Sequence, residues 1–188
     1  MFTWKTIFFF HRQFNWKTIN SLKRFAMTAP APIKRHPAIV SFSKDHHFGL
    51  LLIWKIRQGL SKSIPAERIS KYVLYFFKED LANHFKEEEE FLFSRLSPDD
   101  PLRKKAETDH VFIYSLVRDI ESNPTDEVLL HLFAKELEKH IRFEERDLFN
   151  HIQEVLGAAE LSLIEQRFST SKHDIDEHWH DIFWEIQK

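Results

Sequence analysis

One ten-residue phrase occurs twice in this 188-residue chain. HFKEEEEFLF (84–93) and HIRFEERDLF (140–149) both read His-x-x-x-Glu-Glu-x-x-Leu-Phe. Residues four apart on an α-helix stand on one face, a turn apart. His84 and Glu88 can therefore reach one point, and so can His140 and Glu144. The repetition also extends upstream. DHHFGLLLIWKI (45–56) and DHVFIYSLVRDI (109–120) share Asp-His-x-Phe-x-x-x-Leu-x-x-x-Ile. The repeating unit is thus a helical hairpin whose first helix supplies one histidine and whose second supplies His-x-x-x-Glu. Two such units can bury one shared core across a pseudo-two-fold axis.

The remaining pattern agrees with a chain built from helices. Pro37 suits a first helical position, and Ile39, Phe42, Leu50, Ile53 and Leu60 mark one buried face. Breaks fall at SKSIPAE (61–67), SPDDP (97–101) and SNPTDE (122–127), with Ser63 and Ser97 as candidate N-caps. They delimit helices over about 37–60, 66–96, 101–122 and 126–156, the last stopped by Gly157. A shorter fifth helix follows at 158–168, and the amphipathic tail DIDEHWHDIFWEIQ (174–187) is expected to pack outside the bundle. Long helices with short connections predict an all-α, up-down antiparallel four-helix bundle with additional C-terminal helix or helices. The expected organisation is a basic N-terminal extension over 1–33 and the bundle with its helical tail over 34–188.

Inside such a bundle the two hairpins would join His46, His84, Glu88, His110, His140 and Glu144 into four imidazoles and two carboxylates. A buried, uncompensated carboxylate is costly, and a cation removes that cost. Mixed nitrogen and oxygen donors suit iron, zinc or manganese, and two glutamates can each bridge a pair of ions. A single His-x-x-x-Glu is usually a surface ion pair, and four consecutive glutamates (87–90) are usually a solvated face, with Glu87, Glu89 and Glu90 free to stay wet. The matched pairs, each preceded by a matched Asp-His helix, are what favour a metal centre. His47 adjoins His46 but faces about 100° away, and the repeat aligns His46 with His110. His36 reads as a surface residue at a helix start. His131 and His151 read as helix surface or rim, and His173, His178 and His180 as parts of an exposed tail.

Composition narrows the chemistry. There is no cysteine, which excludes disulfides, thiolate metal sites and cysteine nucleophiles and fits a cytoplasmic protein. Three glycines argue against glycine-rich phosphate loops. A net charge of −2 implies no nucleic-acid partner, and no apolar run reaches the ~20 residues of a membrane span. The nineteen phenylalanines are core filling that can also keep a site dry. Residues 1–26 carry five Lys/Arg and no acid. That stretch reads as a membrane-surface or transit segment, a disordered tail, or a start placed too early, with Met27 before TAPAP as the natural beginning.

The ordered pattern His46, His84-x-x-x-Glu88, His110, His140-x-x-x-Glu144, over about residues 36–156, resembles the hemerythrin-like (HHE cation-binding) family, and RHPAIVSFSKDHHFGLLLIWKIRQGL (35–60) is similar to bacterial members. The resemblance implies a four-helix bundle around two oxygen-bridged, non-haem iron ions. It also implies binding or sensing of O2, or of another small diatomic or peroxide, with no catalytic residue beyond the metal ligands. Oxygen carriers of this family have five histidine ligands, with His-x-x-x-His on the third helix and His-x-x-x-x-Asp on the fourth. Here Tyr114 stands four after His110, and Glu145 stands five after His140. Tyr114, Glu145 and His47 are therefore candidate additional ligands. The alternatives are a di-iron enzyme acting on peroxide or NO, and an iron-handling or purely structural bundle. The protein partner stays open.

Overall fold

In a computed structural model, residues 34–166 and 175–185 are described. The N-terminal extension and His173 lie outside the described residues. Four helical rods form the bundle. The first is α1 (Pro37–Ser61). The second is continuous through α2 (Ala66–Phe76), a π-helical turn π1 (Phe77–Leu81), α3 (Ala82–Glu87), π2 (Glu88–Leu92) and a 3-10 turn (Phe93–Arg95). The third is α4 (Pro101–Ser122), and the fourth runs through α5 (Glu127–Phe143), π3 (Glu144–Leu148) and α6 (Phe149–Glu165). The rod α1 packs on α2, α5 and α6, while α4 packs on α2 and α5. No strand occurs among the described residues.

The boundaries have local causes, and two differ from expectation. Ser63 ends α1 rather than starting α2. Its φ is +54°, its N–H bonds the Leu60 carbonyl (3.0 Å), and the Ile64 N–H bonds the Gly59 carbonyl (3.0 Å), a Schellman ending. Ser97 does not cap α4 either. Asp100 does, accepting from the N–H groups of Leu102 (2.9 Å) and Arg103 (3.0 Å), and its other oxygen holds His151 Nε2 at 2.6 Å. His36 caps α1 through Nδ1, which accepts from Ala38 N–H. Gly157, at φ +65° and ψ 166°, interrupts α6 where the fourth helix was expected to stop.

The core-facing residues of α1 are Ile39, Phe42, His46, Gly49, Ile53 and Ile56, whereas Leu50 is exposed. Ile39, Phe42 and Ile53 face the core as expected, but at the next position Gly49 takes the place of Leu50. A Cβ there would lie 2.9 Å from Ile141 Cδ1, so α1 sits close against α5 at that point.

The tail also departs from expectation. Among its described residues only Ile175–His178 is helical, as a 3-10 turn, and Phe183 and Trp184 are buried in the bundle instead of lying outside it. Gly59 makes room for the Phe183 ring, since a Cβ there would meet it at 2.8 Å. The buried Lys55 ties the tail down. It donates to Tyr72 Oη (2.6 Å), pairs with Asp176, and lies 4.1 Å from the centre of the Trp184 ring.

Two apolar clusters fill the bundle. One contains Leu52, Ile56, Ile69, Tyr72, Phe85, Ile113, Phe133 and Leu137. The other contains Ile39, Phe42, Leu92, Phe93, Ala106, Phe149 and Ile152. Along the first and third rods the change from one cluster to the other spans His46 and His110, and along the second and fourth it falls just beyond His84 and His140, between Phe85 and Leu92 and between Ile141 and Phe143.

Candidate metal centre

The repeat places its polar residues as a buried layer between the two apolar clusters. His46, His84, Glu88, His110, His140 and Glu144 are all at most 4% exposed. They fall into two groups that could each hold a cation: His46, His84, Glu88 and Glu144, and Glu88, His110, His140 and Glu144. Within each group the ligand atoms lie within 4.8 Å of one another. Both carboxylates belong to both groups. Glu88 Oε1 is 3.2 Å from His84 Nε2 and 3.6 Å from His46 Nε2, while its Oε2 is 3.4 Å from His110 Nε2. Glu144 Oε2 is 3.0 Å from His46 Nε2 and 3.3 Å from His140 Nε2, and its Oε1 is 4.0 Å from His110 Nε2. On the second side the Nε2 atoms of His110 and His140 are 3.1 Å apart.

These groups fit a cation. All four oxygens of Glu88 and Glu144, with Nε2 of His46 and of His84, are buried, and despite the close approaches above none makes a hydrogen bond of good geometry. Leaving so many polar atoms unsatisfied is expensive, and a shared cation satisfies them together.

The doublets of the repeat have distinct tasks. In each Glu-Glu pair the first glutamate faces the layer. The second crosses to the outer nitrogen of a histidine in the other repeat: Glu145 Oε1 lies 2.8 Å from His46 Nδ1, and Glu89 Oε1 lies 2.7 Å from His110 Nδ1. In each Asp-His pair the aspartate faces the histidine of its own hairpin. Asp45 Oδ2 is 3.4 Å from His84 Nδ1, and Asp109 Oδ2 is 3.7 Å from His140 Nδ1. The closing Leu-Phe completes the phrase. Phe149 stacks on His46 at 5.2 Å and Phe93 on His110 at 5.6 Å, again across repeats. A π-helical turn begins at Glu88 and at Glu144 alike. Such an insertion puts one more residue in the turn. It accompanies two adjacent, fully buried residues at its end, Leu92 with Phe93 and Leu148 with Phe149.

The three candidate additional ligands stand elsewhere. His47 is exposed and packs edge-on to Phe48. Tyr114 donates to the Ala82 carbonyl (3.4 Å), with Phe85 between its ring and His110. Glu145 lies on the outer side of His46, held by Arg35 at 3.0 Å. Glu89 was expected to stay in solvent but is engaged with His110. Asp45 and Asp109 had no expected role. In all three cases the signal was present in the sequence, because the repeat preserves the doublets whole and not only the His-x-x-x-Glu frame.

The electrostatics follow from this packing. Burial works against the charge of His46, but Glu144, Glu145 and Glu88 outweigh it and hold its pKa well above the ordinary value. In the same way burial opposes, and carboxylates overcome, at His84 (Glu88 and Asp45) and His110 (Glu88 and Glu89), each raised from 6.5 to about 9. Burial alone would raise Glu88, yet His84, His110 and His46 pull it well below the carboxylate range. A histidine whose folded pKa is raised stabilises fully below its unfolded value and loses that contribution as pH climbs through the folded value. The metal-free chain is therefore expected to melt at progressively lower temperature from pH 6.5 to about 9, followed by calorimetry. A flat or rising Tm over that window contradicts the pairing. A metal must displace the same protons, so its apparent affinity should rise across the window.

The family model for the hemerythrin HHE cation binding domain matches residues 39–152, and the chain belongs to that family. The match reaches into all four rods, ending in the first turn of α6, and includes all six residues of the buried layer. Neither the curated proteins nor the solved structures give a significant match. No described helix is long and apolar enough to cross a membrane.

Proposed function

We propose that this chain is a non-haem di-iron protein of the hemerythrin type that binds or senses O2 or a related small oxidant. The observation that carries the reading is that Glu88 and Glu144 each approach both histidine pairs with oxygens that make no hydrogen bond of good geometry. His46 and His84 would hold one ion and His110 and His140 the other, with the two carboxylates shared. Bound iron would supply reversible one-electron chemistry toward oxygen species. The chain's own residues orient and dry the site. Carboxylates fix the outer nitrogens of His46, His84 and His110, which sets ring orientation and basicity, and Phe85, Phe93 and Phe149 pack against the imidazoles. The cytoplasm, as a reducing compartment, suits ferrous loading of a cysteine-free site.

A specific observation keeps a second reading, turnover of peroxide or NO. Each group offers two imidazoles and two shared carboxylates, and Tyr114, whose hydroxyl bonds the Ala82 carbonyl, adds no fifth donor. Four protein donors are fewer than an octahedral ion takes, and the set is alike on both sides, which favours a substrate reaching both ions. The test is anaerobic loading with ferrous iron, followed by optical spectra before and after adding O2, then peroxide and NO. Oxidant-dependent charge-transfer absorption is the expected result. Protein that stays colourless throughout contradicts both readings, and sustained consumption of peroxide or NO selects the second.

A further inference from the structure

The repeat makes the inward donors alike, but the support behind them differs. Behind the His46/His84 position stand Glu145 and Asp45. Glu145 lies 2.8 Å from His46 Nδ1, and Arg35, whose side chain is only 11% exposed, fixes it by pairing with its carboxylate and also bonding the Glu145 carbonyl. Asp45, at 9% exposure, lies 3.4 Å from His84 Nδ1. Behind the His110/His140 position stand Glu89 and Asp109. Glu89 meets His110 Nδ1 at 2.7 Å but its side chain is 46% exposed. Asp109 pairs with Lys105 and stays 3.7 Å from His140 Nδ1, a nitrogen that is buried without a hydrogen-bond partner. One position thus has both imidazoles within hydrogen-bond distance of a carboxylate, and its part-exposed Glu145 (30%) is clamped by Arg35. The other has one imidazole braced by a solvent-exposed carboxylate and one not braced through a hydrogen bond.

Outer partners of ligating histidines set ring orientation and basicity, and their loss typically weakens metal binding about 10–100-fold. Solvent competes for the exposed brace and, through Glu89, reaches within one side chain of the His110 ring. We infer that the two metal positions are inequivalent: the His46/His84 position fills first and holds its ion more tightly, and the His110/His140 position is the exchangeable one, with Glu89 as its positioning residue. The inference rests on the di-iron reading above.

The test is an anaerobic titration of the full chain with cobalt(II) against a competing chelator, followed by visible absorption and native mass spectrometry. The wild-type chain should bind two ions in two resolved steps. E89Q should weaken the second step by about 10–100-fold and leave the first unchanged, and E145Q should weaken the first, bringing the steps together. A general loosening of the bundle would weaken both steps in each variant, so the selectivity separates positioning from structure. Two ions binding in one step, or E89Q weakening the tighter step, overturns the inequivalence while leaving the di-iron reading intact. Failure to take up any ion overturns both.

Discussion

Glu88→Gln is expected to strip both ions from the chain, whereas His84→Ala should cost only one. Glu88 reaches His84 and His46 with one oxygen and His110 with the other, so its loss is felt at both positions. Glutamine keeps the shape but offers one neutral oxygen and an amide N–H2 that cannot accept. Each position then keeps one shared carboxylate against an undiminished desolvation cost, and affinity should fall by at least ~100-fold, more than for loss of an outer partner. Glu144→Gln should behave in the same way, because Glu144 likewise spans both pairs. His84 belongs only to the first group. Elemental analysis of the purified, loaded variants decides the matter, and loss of a single ion from E88Q would mean that the carboxylate is not shared.

Removing the metal should lower the melting temperature of the wild-type chain by on the order of 10 °C. A ligand present at 1,000 times its dissociation constant stabilises the folded state by about 4 kcal/mol, and a domain of this size shifts roughly 2–4 °C per kcal/mol. The effect comes from the buried layer itself. With a cation the oxygens of Glu88 and Glu144 are satisfied together, and without one they depend on protonated imidazoles that belong to the same layer. E88Q should therefore melt near the stripped wild type whether or not metal is added. A purely structural bundle predicts the opposite pattern, with no response to chelator and a stability that is unchanged or improved by the glutamine, since replacing a buried charge that needs no partner is often neutral or stabilising.

Much of this was legible in the sequence because the duplication ties local pattern to tertiary contact. Spacing of four put each His and Glu on one face, and repetition of the hairpin implied that the two faces meet. The sequence therefore led to the bundle and to six converging residues without any sheet to misplace. The tail was not legible. Its spacing suits an amphipathic helix, but Phe183 and Trp184 find better burial against Gly59, Tyr72 and Lys55, partners more than a hundred residues away. The caps at Ser63 and Ser97 failed for a local reason, because Asp100 stood nearer the helix start and Ser63 was needed in the left-handed conformation that ends α1. Glu89, Asp45 and Asp109 were within reach of sequence reasoning. The repeat conserves its own second glutamate and its own aspartate, but a helical wheel drawn for one helix shows only that they leave the His-Glu face, not which neighbouring imidazole they meet.

The central claim is that two cations share Glu88 and Glu144 between two histidine pairs. Metal content measured on wild-type protein after anaerobic ferrous loading and removal of excess tests it most directly. The account predicts two iron ions per chain, magnetically coupled through the shared carboxylates. A single ion, two uncoupled ions, or none contradicts it.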